Sequence, residues 1–483
     1  MTTTAFVSAA EHAKAIRERR VTSRELAELY IARIALHNPA LHAIVIGNER
    51  DALATAAARD ADLARGNVSG PLHGVPVTVK EAFNIAGFKT TVNFEQLKDN
   101  VASTDAYVVT RLKQAGAAIL GKTNIPTMLS DWQSFGPLYP TANNPYDLAR
   151  TPGGSTGGGA AAVAAGLTSL EIGSDIGGSI RVPAHFCGVF GLKPTENAMM
   201  HGEGHVPPAP TDRGGFVAMA SMGPLARTMA DIELAWSIIN EPTWNYFLHL
   251  PAKPVAKRAL AEYRVAWFDD VGSVPCGEDT RQVLGTFVRL LQGAGVVVEK
   301  RPFDQRWLDE AFDVWGILFG AIMGQDAPWI VRKILGYQLG KMASGTRLGL
   351  LRALKTGLAL GFKDFSVALK RRVALVRELQ RQFEAYDFIV SPVAAGPAFP
   401  HNQKHGPIAI DGGTMAYLDY TGPFVAIYNA CGNPVLVVPA GKSASGLPIG
   451  LQIAAPHYGE HELIQFGKWI EQLGVTFAPP TGY

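Results

Sequence analysis

The feature that most restricts the fold of this chain is a strand-like segment, a helix-like segment and a second strand-like segment between residues 75 and 121. Val75, Val77 and Val79 alternate with other residues, which is typical of a β-strand. Residues 105–115 have a helical pattern, and the apolar run 117–121 predicts a short buried strand. Alternation of strands and helices predicts an α/β fold with a largely parallel sheet.

The composition is that of an ordinary globular protein, with 47% apolar and 18% charged residues. A single hydrophobic core usually stops growing near 250–300 residues, so the length of 483 residues by itself predicts two or three domains. The 44 basic and 42 acidic residues leave a net charge of +2. This balance gives no electrostatic reason to expect nucleic acid or an anionic membrane as a partner.

The cysteines and the N-terminal segment indicate in which cellular compartment the protein is found. Cys187, Cys276 and Cys431 are an odd number without CxxC spacing, so they predict neither a disulfide framework nor a zinc site. The first 20 residues contain no apolar stretch like that of a secretory signal. No run of about 18 apolar residues predicts a membrane span. We therefore expect a cytoplasmic protein.

Other segments differ in character from this α/β pattern. Residues 136–159 are rich in Gly, Pro, Asn, Ser and Thr and predict a long irregular loop, followed by a tightly packed helix of small residues at 160–166. Residues 171–195 predict an ordered, buried loop. Residues 305–380 have helical periodicity and many basic residues. Three interpretations of residues 305–380 remain open. The segment forms core-facing helices with a solvated basic face, a lid over an apolar pocket, or an element that binds a membrane surface.

Two familiar motifs match the sequence by chance. Residues 116–123, GAAILGKT, fit the phosphate-binding pattern GxxxxGK[ST], but the four intervening residues are apolar and strand-like. Residues 153–157, GGSTG, fit the GxSxG nucleophile elbow, but a loop with two prolines precedes them instead of a buried strand. A Ser-His-Asp hydrolase remains an alternative, although no spacing distinguishes any histidine. The histidines after that motif are His185, His201, His205, His401, His405, His457 and His461.

The strongest chemical signal is a pair of Gly-Gly-Ser units at Gly153–Ser155 and Gly177–Ser179. Glycine permits positive φ and close backbone approach, and such turns can direct successive N–H groups into one concavity. This arrangement suits the binding of an oxyanion that develops during acyl transfer. A serine at the end of such a turn presents its hydroxyl beside these donors.

A serine hydroxyl needs a base to become an effective nucleophile, and neither Gly-Gly-Ser unit contains a histidine. Lys80 ends a predicted apolar strand. Burial lowers the pKa of a lysine by disfavouring its charged form, and a neutral lysine can accept a proton near neutral pH. Lys80 is therefore the candidate base.

These motifs together resemble those of the amidase-signature family, whose members use a Ser–cis-Ser–Lys triad. The resemblance covers most of the chain. It rests on a series of segments in a fixed order: 74–87, 115–124, 144–166, 173–195, 222–231, 432–441 and 446–456. It implies a single domain over residues 1–483, an α/β/α sandwich with a large mixed sheet. From their own pattern, we expect residues 305–380 to form a helical insertion or lid within this domain.

The resemblance also implies roles for individual residues. Ser179 corresponds to the acylated nucleophile, Ser155 to the bridging serine after a cis peptide at Gly154–Ser155, and Lys80 to the catalytic lysine. The implied oxyanion hole consists of main-chain N–H groups, from Ile176, Gly177, Gly178 and Ser179. Supporting roles fall to Thr156, where many relatives have serine, and to Asp175 and Arg181. No metal or organic cofactor is implied.

Several functions remain open at this point. The family also contains the A subunit of tRNA-dependent amidotransferases, although residues 196–210 do not resemble that subunit. A non-catalytic binding protein with this fold is a further alternative. Residues 129–139 and 305–380 are apolar and aromatic, which favours a hydrophobic amide, an aryl amide or a carbamate as substrate over a small polar amide. A homodimer is compatible with the sequence.

Overall fold

One long mixed β-sheet runs through the molecule. The structure, a computed structural model, describes residues 5–196, 198, 204–206, 218–240, 258–325, 328–342 and 349–483. Within these ranges eleven strands join in the spatial order β1-β3-β2-β4-β6-β5-β12-β13-β9-β7-β8. They are β1 Ile44–Gly47, β2 Pro76–Lys80, β3 Ala118–Thr123, β4 Glu171–Asp175, β5 Phe190–Lys193, β6 Ser221–Ala226, β7 Arg264–Trp267, β8 Val297–Lys300, β9 Phe388–Pro392, β12 Val435–Lys442 and β13 Pro448–Ala454. A separate hairpin pairs β10 Ile408–Ile410 with β11 Gly413–Met415.

Helices lie on both faces of this sheet. Within the described ranges they are α1 Ala9–Arg17, α2 Ser23–Leu41, α3 Glu49–Ala64, α4 Tyr107–Gln114, α5 Gly157–Ala164, α6 Arg181–Phe186, α7 Met229–Ile239, α8 Glu278–Gly293, α9 Gln305–Gly324, α10 Trp329–Met342, α11 Leu350–Leu358, α12 Phe362–Ala385, α13 Tyr417–Cys431 and α14 Glu460–Gln472. Short 3₁₀ turns occupy Glu95–Leu97, Thr127–Leu129 and Leu260–Glu262. The fold is α/β with a mixed sheet, as the family resemblance implied. The largely parallel sheet predicted from the alternation of strands and helices is wrong, because six of the ten described pairings in this sheet are antiparallel and four are parallel.

The side chains of β12 show that both faces of the sheet are buried. Val435 and Val437 belong to a hydrophobic cluster that includes α5, α9 and α13. Leu436 and Val438, which point the other way, belong to a second cluster that includes α7, α8 and α14. Strands that are buried on both faces form near-continuous apolar runs, which explains the runs seen in the sequence.

Strand directions place the carboxyl ends of β2 and β4 side by side. β2 pairs in parallel with β3 and with β4, where Thr78 lies opposite Glu171. β4 then pairs antiparallel with β6. Because neighbouring parallel strands end at the same edge of a sheet, the segments that follow β2 and β4 meet there. This edge is the usual position of ligand sites in α/β sheets.

The small residues of α5 allow that helix to lie very close to the sheet. A Cβ at Gly158 would lie 2.3 Å from the Asn124 main-chain nitrogen, and one at Gly159 would lie 2.6 Å from Glu171 Cγ. The predicted helix is confirmed, but it begins at Gly157 and not at residue 160. The three glycines that suggested a loop are part of the helix, and a Cβ added at any of them would lie 2.3–2.6 Å from a neighbouring atom.

The sequence also made predictions for residues 171–195 and for residues 305–380. Residues 171–195 are ordered and buried, as predicted, but they form β4, α6 and β5 and not simply a loop. The described residues of 305–380 are largely helical, as predicted, with α9 packed against α11, α12 and α13. Apolar side chains outside this contact are exposed, such as Trp329 at 67% and Phe362 at 89%. In the described ranges, no helix combines the length and the hydropathy needed to cross a bilayer.

Candidate active site

Lys80 lies at the carboxyl end of β2 and is completely buried. Its side chain shares one face of the strand with Thr78, whereas Val77 and Val79 point into the apolar cluster on the opposite face. The Lys80 Nζ donates hydrogen bonds to Ser155 Oγ at 2.7 Å, to Ser174 Oγ at 3.1 Å and to the Ser174 carbonyl oxygen at 3.2 Å. Lys80, which the sequence indicated as the candidate base at a strand end, therefore contacts Ser155, 75 residues further along the chain.

The surroundings of Lys80 favour its neutral form. Burial lowers the pKa of Lys80 to about 7, although the negative charges of Asp175 and Glu171 act in the opposite direction. A lysine with this pKa is neutral in a substantial fraction of molecules near neutral pH. It can then accept a proton along the short contact to Ser155.

Ser155 and Ser179 lie on two loops that are joined through their main chains. Ser155 follows the cis peptide Gly154–Ser155, and its side chain is buried. The Thr156 N–H donates to the Ser179 carbonyl oxygen at 3.1 Å, which ties the second Gly-Gly-Ser unit to the first. Ser179 has 7% of its surface exposed, so it is the more accessible of the two serines. The arrangement brings Lys80, Ser155 and the Ser179 loop together at one edge of the sheet.

Asp175 and Arg181 form a fully buried ion pair beneath this loop. The Arg181 guanidinium donates to both carboxylate oxygens of Asp175, at 3.0 and 3.1 Å. Arg181 also donates to Gln452 Oε1 and to Asn429 Oδ1. Burial acts to raise the pKa of the Asp175 carboxyl, but the Arg181 guanidinium outweighs it and holds this pKa below its usual range. The pair links the loop to α13 and β13.

The Asp175 carboxylate also determines which way the loop amides point. It accepts hydrogen bonds from the Gly178 N–H at 2.9 Å and from the Ile180 N–H at 3.0 Å. The Gly178 N–H is therefore engaged with Asp175 in this conformation, and its role in the oxyanion hole stays a prediction. The N–H groups of Ile176, Gly177 and Ser179 have no acceptor among the described residues.

Thr156 contributes through its main chain and not through its hydroxyl. Its Oγ1 is buried without a hydrogen-bond partner in the described part of the chain. Its side chain packs on Gly173, where an added Cβ would lie 2.7 Å from Thr156 Cγ2. The departure from serine at this position therefore leaves the contact to Ser179 intact.

Two buried polar residues near Lys80 are missing from the sequence prediction. Glu171 accepts hydrogen bonds from Thr78 Oγ1 at 2.5 Å and Thr123 Oγ1 at 2.7 Å. Burial raises the pKa of Glu171 to about 8, against the effect of those hydrogen bonds and of Lys80. Ser174 contacts Lys80 and also lies 3.0 Å from His205 Nε2. The sequence signal for Glu171 is a glutamate between two apolar residues, Leu170 and Ile172, and the signal for Ser174 is its nearness to the glycine loop.

Two tryptophans also contact the Ser179 loop. The Trp315 indole N–H donates to the Ile176 carbonyl oxygen at 3.0 Å. The Trp132 indole N–H donates to the next carbonyl oxygen, that of Gly177, at 2.7 Å. They come from the two aromatic segments that the sequence assigned to the pocket. Over the described residues, no three His, Cys, Asp or Glu side chains approach closely enough to share a metal ion.

Lys122 of the phosphate-loop pattern and candidate histidines of a Ser-His-Asp site, such as His185, make other contacts in the structure. Lys122, from the phosphate-loop pattern, lies inside β3, and its Nζ donates to the Lys89 carbonyl oxygen and to Thr90 Oγ1. None of the described histidines hydrogen-bonds to Ser155 or Ser179; His185, for example, bonds to main-chain atoms of Gly450. His201 and most of 196–210 lie outside the described residues. The basic group beside Ser155 is Lys80.

Comparisons with known proteins agree with this geometry. Residues 25–464 match the family model described as Amidase. The chain is 32% identical to an acylamidase of Rhodococcus erythropolis over 94% of this chain and 92% of that protein. It is 30% identical to the A subunit of the glutamyl-tRNA(Gln) amidotransferase of Alkaliphilus metalliredigens, over 95% and 94% of the two chains. A crystal structure described as an amidase superposes with a TM-score of 0.78 at 26% identity, covering 96% of this chain and 99% of the other.

Proposed function

Because this chain belongs to the amidase family, the amidase-signature enzymes, which hydrolyse amides, we propose that it cleaves its substrate through an acyl-enzyme on Ser179. In this proposal Ser155 relays protons between Ser179 and Lys80. The observation that carries it is the 2.7 Å contact between Ser155 Oγ and the Nζ of a lysine that is completely buried. A solvated lysine would remain protonated and could not act as a base.

The first half of the reaction forms the acyl-enzyme. Neutral Lys80 takes a proton from Ser155, which takes the proton of Ser179 as the Ser179 Oγ attacks the carbonyl carbon. The negative oxygen of the tetrahedral intermediate accepts hydrogen bonds from the N–H groups of Ile176, Gly177 and Ser179. The C–N bond then breaks, Ser155 passes its proton to the leaving nitrogen, and Lys80 returns its proton to Ser155.

The second half hydrolyses the acyl-enzyme by the same relay. A water molecule gives a proton to Ser155, which passes one to Lys80, and the resulting hydroxide attacks the acyl carbon. The bond to Ser179 Oγ breaks and the proton returns through Ser155 to Ser179. The carboxylic acid product leaves, and the three side chains regain their starting protonation states.

The proposed substrate is an apolar amide, an aryl amide or a carbamate. Support comes from the walls beside the Ser179 loop, where Trp132 and Trp315 make direct contacts and Phe319 stacks on Trp315 with ring centroids 5.0 Å apart. The similarity to a protein described as an acylamidase points the same way. A cytoplasmic location, a homodimer and a lid function for residues 305–380 remain predictions.

The runner-up is the A subunit of a tRNA-dependent amidotransferase. It is favoured by the 30% identity to such subunits over nearly the whole chain. Under this alternative the protein copurifies with other subunits and forms amides on charged tRNA from glutamine. The isolated chain then shows no turnover of apolar amides.

A small substrate panel tests the proposal. An apolar aliphatic amide, an aryl anilide, an aryl carbamate and a short polar amide are offered to the wild type and to Ser179→Ala, and Ser179 is probed with a fluorophosphonate. We expect turnover of at least one apolar member by the wild type and none by the variant. Turnover confined to short polar amides would contradict the substrate class. Unchanged turnover in Ser179→Ala would contradict the nucleophile.

A further inference from the structure

Two indole N–H groups are directed at consecutive peptide groups of the loop that precedes Ser179. Trp315, from α9, donates to the Ile176 carbonyl oxygen at 3.0 Å, and Trp132 donates to the Gly177 carbonyl oxygen at 2.7 Å. The two tryptophans are 183 positions apart in the chain. They reach the loop from different segments, so a shared local turn does not explain the pattern.

The geometry of a trans peptide shows what each contact does. The C=O and N–H of one planar trans peptide point in opposite directions. Trp315 holds the carbonyl of the peptide that joins Ile176 to Gly177, so the Gly177 N–H is directed away from Trp315. Trp132 holds the carbonyl of the next peptide, whose N–H, on Gly178, already donates to Asp175 Oδ1 at 2.9 Å.

Without such contacts this stretch of backbone would have unusual freedom. Gly177 and Gly178 are adjacent, and Gly178 has a φ of +95°, a conformation that glycine adopts readily. Rotation of the Ile176–Gly177 peptide would turn a carbonyl oxygen towards the position of the oxyanion. Trp315 opposes that rotation because its indole would then lose its acceptor. Its ring also fills the space beside Gly177, where a Cβ would lie 2.9 Å from Trp315 Cζ2.

We propose that Trp315 is a positioning residue for the oxyanion hole, and that Trp132 supports it from the other side of Gly177. By donating to the Ile176 carbonyl oxygen, Trp315 fixes the direction of the Gly177 N–H and, through hydrogen-bond cooperativity, makes it a better donor. The inference rests on the proposed acyl-enzyme mechanism. It predicts that loss of the Trp315 hydrogen bond lowers kcat more than loss of the Trp132 hydrogen bond, because Asp175 also holds the peptide that Trp132 contacts.

Trp315→Phe removes the indole N–H and keeps an aromatic ring. Loss of a complete oxyanion donor costs about 10²–10³-fold in kcat, so loss of its orientation should cost about tenfold, with KM changed less than about twofold. Trp132→Phe should cost about threefold. Replacement of Trp315 by benzothienylalanine, in which sulfur takes the place of the N–H, should reproduce the Phe result without leaving a cavity.

The matched control is Trp307→Phe. Trp307 lies on the same helix, its ring stacks on Phe303 with centroids 4.7 Å apart, and its indole N–H has no partner among the described residues. This variant loses the same atoms but no hydrogen bond to the loop. We expect its kcat and KM to match those of the wild type.

A transition-state mimic separates positioning from a general loss of structure. A trifluoromethyl ketone forms a tetrahedral adduct with the nucleophile, and its oxyanion occupies the hole. We expect its inhibition constant to rise about tenfold in Trp315→Phe, in step with the fall in kcat/KM, while Trp307→Phe retains the wild-type value. A wild-type inhibition constant in Trp315→Phe, or an equal loss in Trp307→Phe, overturns the inference.

Fluorophosphonate labelling distinguishes this failure from failure of the proposed function. If the wild type is labelled at Ser179 and Trp315→Phe behaves as the wild type, only the positioning role is wrong. If the wild type is not labelled at Ser179, the acyl-enzyme mechanism is wrong and the positioning role fails with it. A slower labelling rate in Trp315→Phe than in Trp307→Phe supports both the positioning role of Trp315 and the acyl-enzyme mechanism.

Discussion

At the scale of single residues, Lys80 is a basic group held where a positive charge is unfavourable. Three oxygen atoms surround its Nζ, but the side chain is completely buried, and burial lowers its pKa to about 7. Lys193 lies in a similar situation, with a pKa that burial and Arg181 lower to about 7. Only Lys80 contacts Ser155, so the two lysines can be distinguished by experiment.

The pH dependence of kcat/KM should therefore report on Lys80. The active form is the neutral lysine, so activity is low below pH 7, rises through pH 7 and is constant above it. Lys80→Met should lower kcat/KM by at least about 10²-fold, the contribution of a positioned general base. Lys193→Met should retain the rise near pH 7. A flat profile between pH 5 and 9 in the wild type would contradict the assignment.

The Asp175–Arg181 pair should matter more to stability than a pair on the surface. Both side chains are fully buried, and removing one member of such a pair leaves an uncompensated charge, at a cost of about 3–5 kcal/mol. We expect Asp175→Asn to lower the free energy of unfolding by roughly this amount in a urea titration. Asp51→Asn is the control, because Arg50 and Asp51 form an exposed pair worth about 0–1 kcal/mol. Equal losses in the two variants would show that burial of the pair is unimportant.

The sequence predicted the catalytic candidates better than their neighbours. Lys80, Ser155 and Ser179 lie in motifs whose order and spacing are distinctive, and the structure brings these segments together. Glu171, Ser174, Trp132 and Trp315 could not be assigned individual roles, because a motif or an aromatic segment does not show which of its side chains contacts Lys80 or the Ser179 loop. Their contacts depend on how β2, β4 and α9 pack, which is decided by long-range structure. The direction of the Gly178 N–H depends on Asp175 in the same way.

At the scale of elements, α5 shows how close packing can override helix propensity. Alanine is normally favoured over glycine inside a helix by about 1 kcal/mol. At Gly158, however, a Cβ would lie 2.3 Å from the Asn124 nitrogen and 2.4 Å from the Ala43 carbonyl oxygen. Both are main-chain atoms, so relief would require α5 to move away from the sheet, and Ser155 with it.

We predict opposite effects for two glycine-to-alanine changes. Gly158→Ala should lower the thermal midpoint and kcat together, because the helix must shift. Gly285→Ala, within α8, should raise stability by about 0.5–1 kcal/mol, since its Cβ would meet only the flexible end of Arg289 at 3.5 Å. Differential scanning calorimetry on both variants checks this. A stabilised Gly158→Ala would mean that α5 is not held at the distance described.

At the scale of the whole molecule, the sheet joins distant parts of the chain. β5 pairs with β12, and β13 separates β12 from β9, so three strands from the last hundred residues stand between β5 and β7. The sequence does not give the position of these three strands in the sheet, because strand order depends on pairings that local patterns do not encode. The length also suggested two or three domains, whereas eleven of the thirteen strands in the described ranges join in one sheet.

A chain that ends at residue 385 should therefore not fold. It retains Lys80, Ser155 and Ser179 but lacks β9, β12 and β13, and it exposes the apolar edge and faces of β5. We expect no cooperative thermal transition by circular dichroism and no labelling of Ser179 by a fluorophosphonate. Labelling at the wild-type rate would show that the N-terminal strands form the site independently.

The parallel pairing of β2 with β4 has a consequence for how the protein forms. Thr78 and Glu171 are paired although they lie 93 positions apart in the chain. Contacts of such long range form slowly because loop closure costs entropy before the contact stabilises anything. Nucleophilic reactivity of Ser179 can arise only after that closure. During refolding, the time at which Ser179 becomes reactive towards a covalent probe should therefore mark the completion of the sheet, which makes the enzyme a reporter of its own assembly.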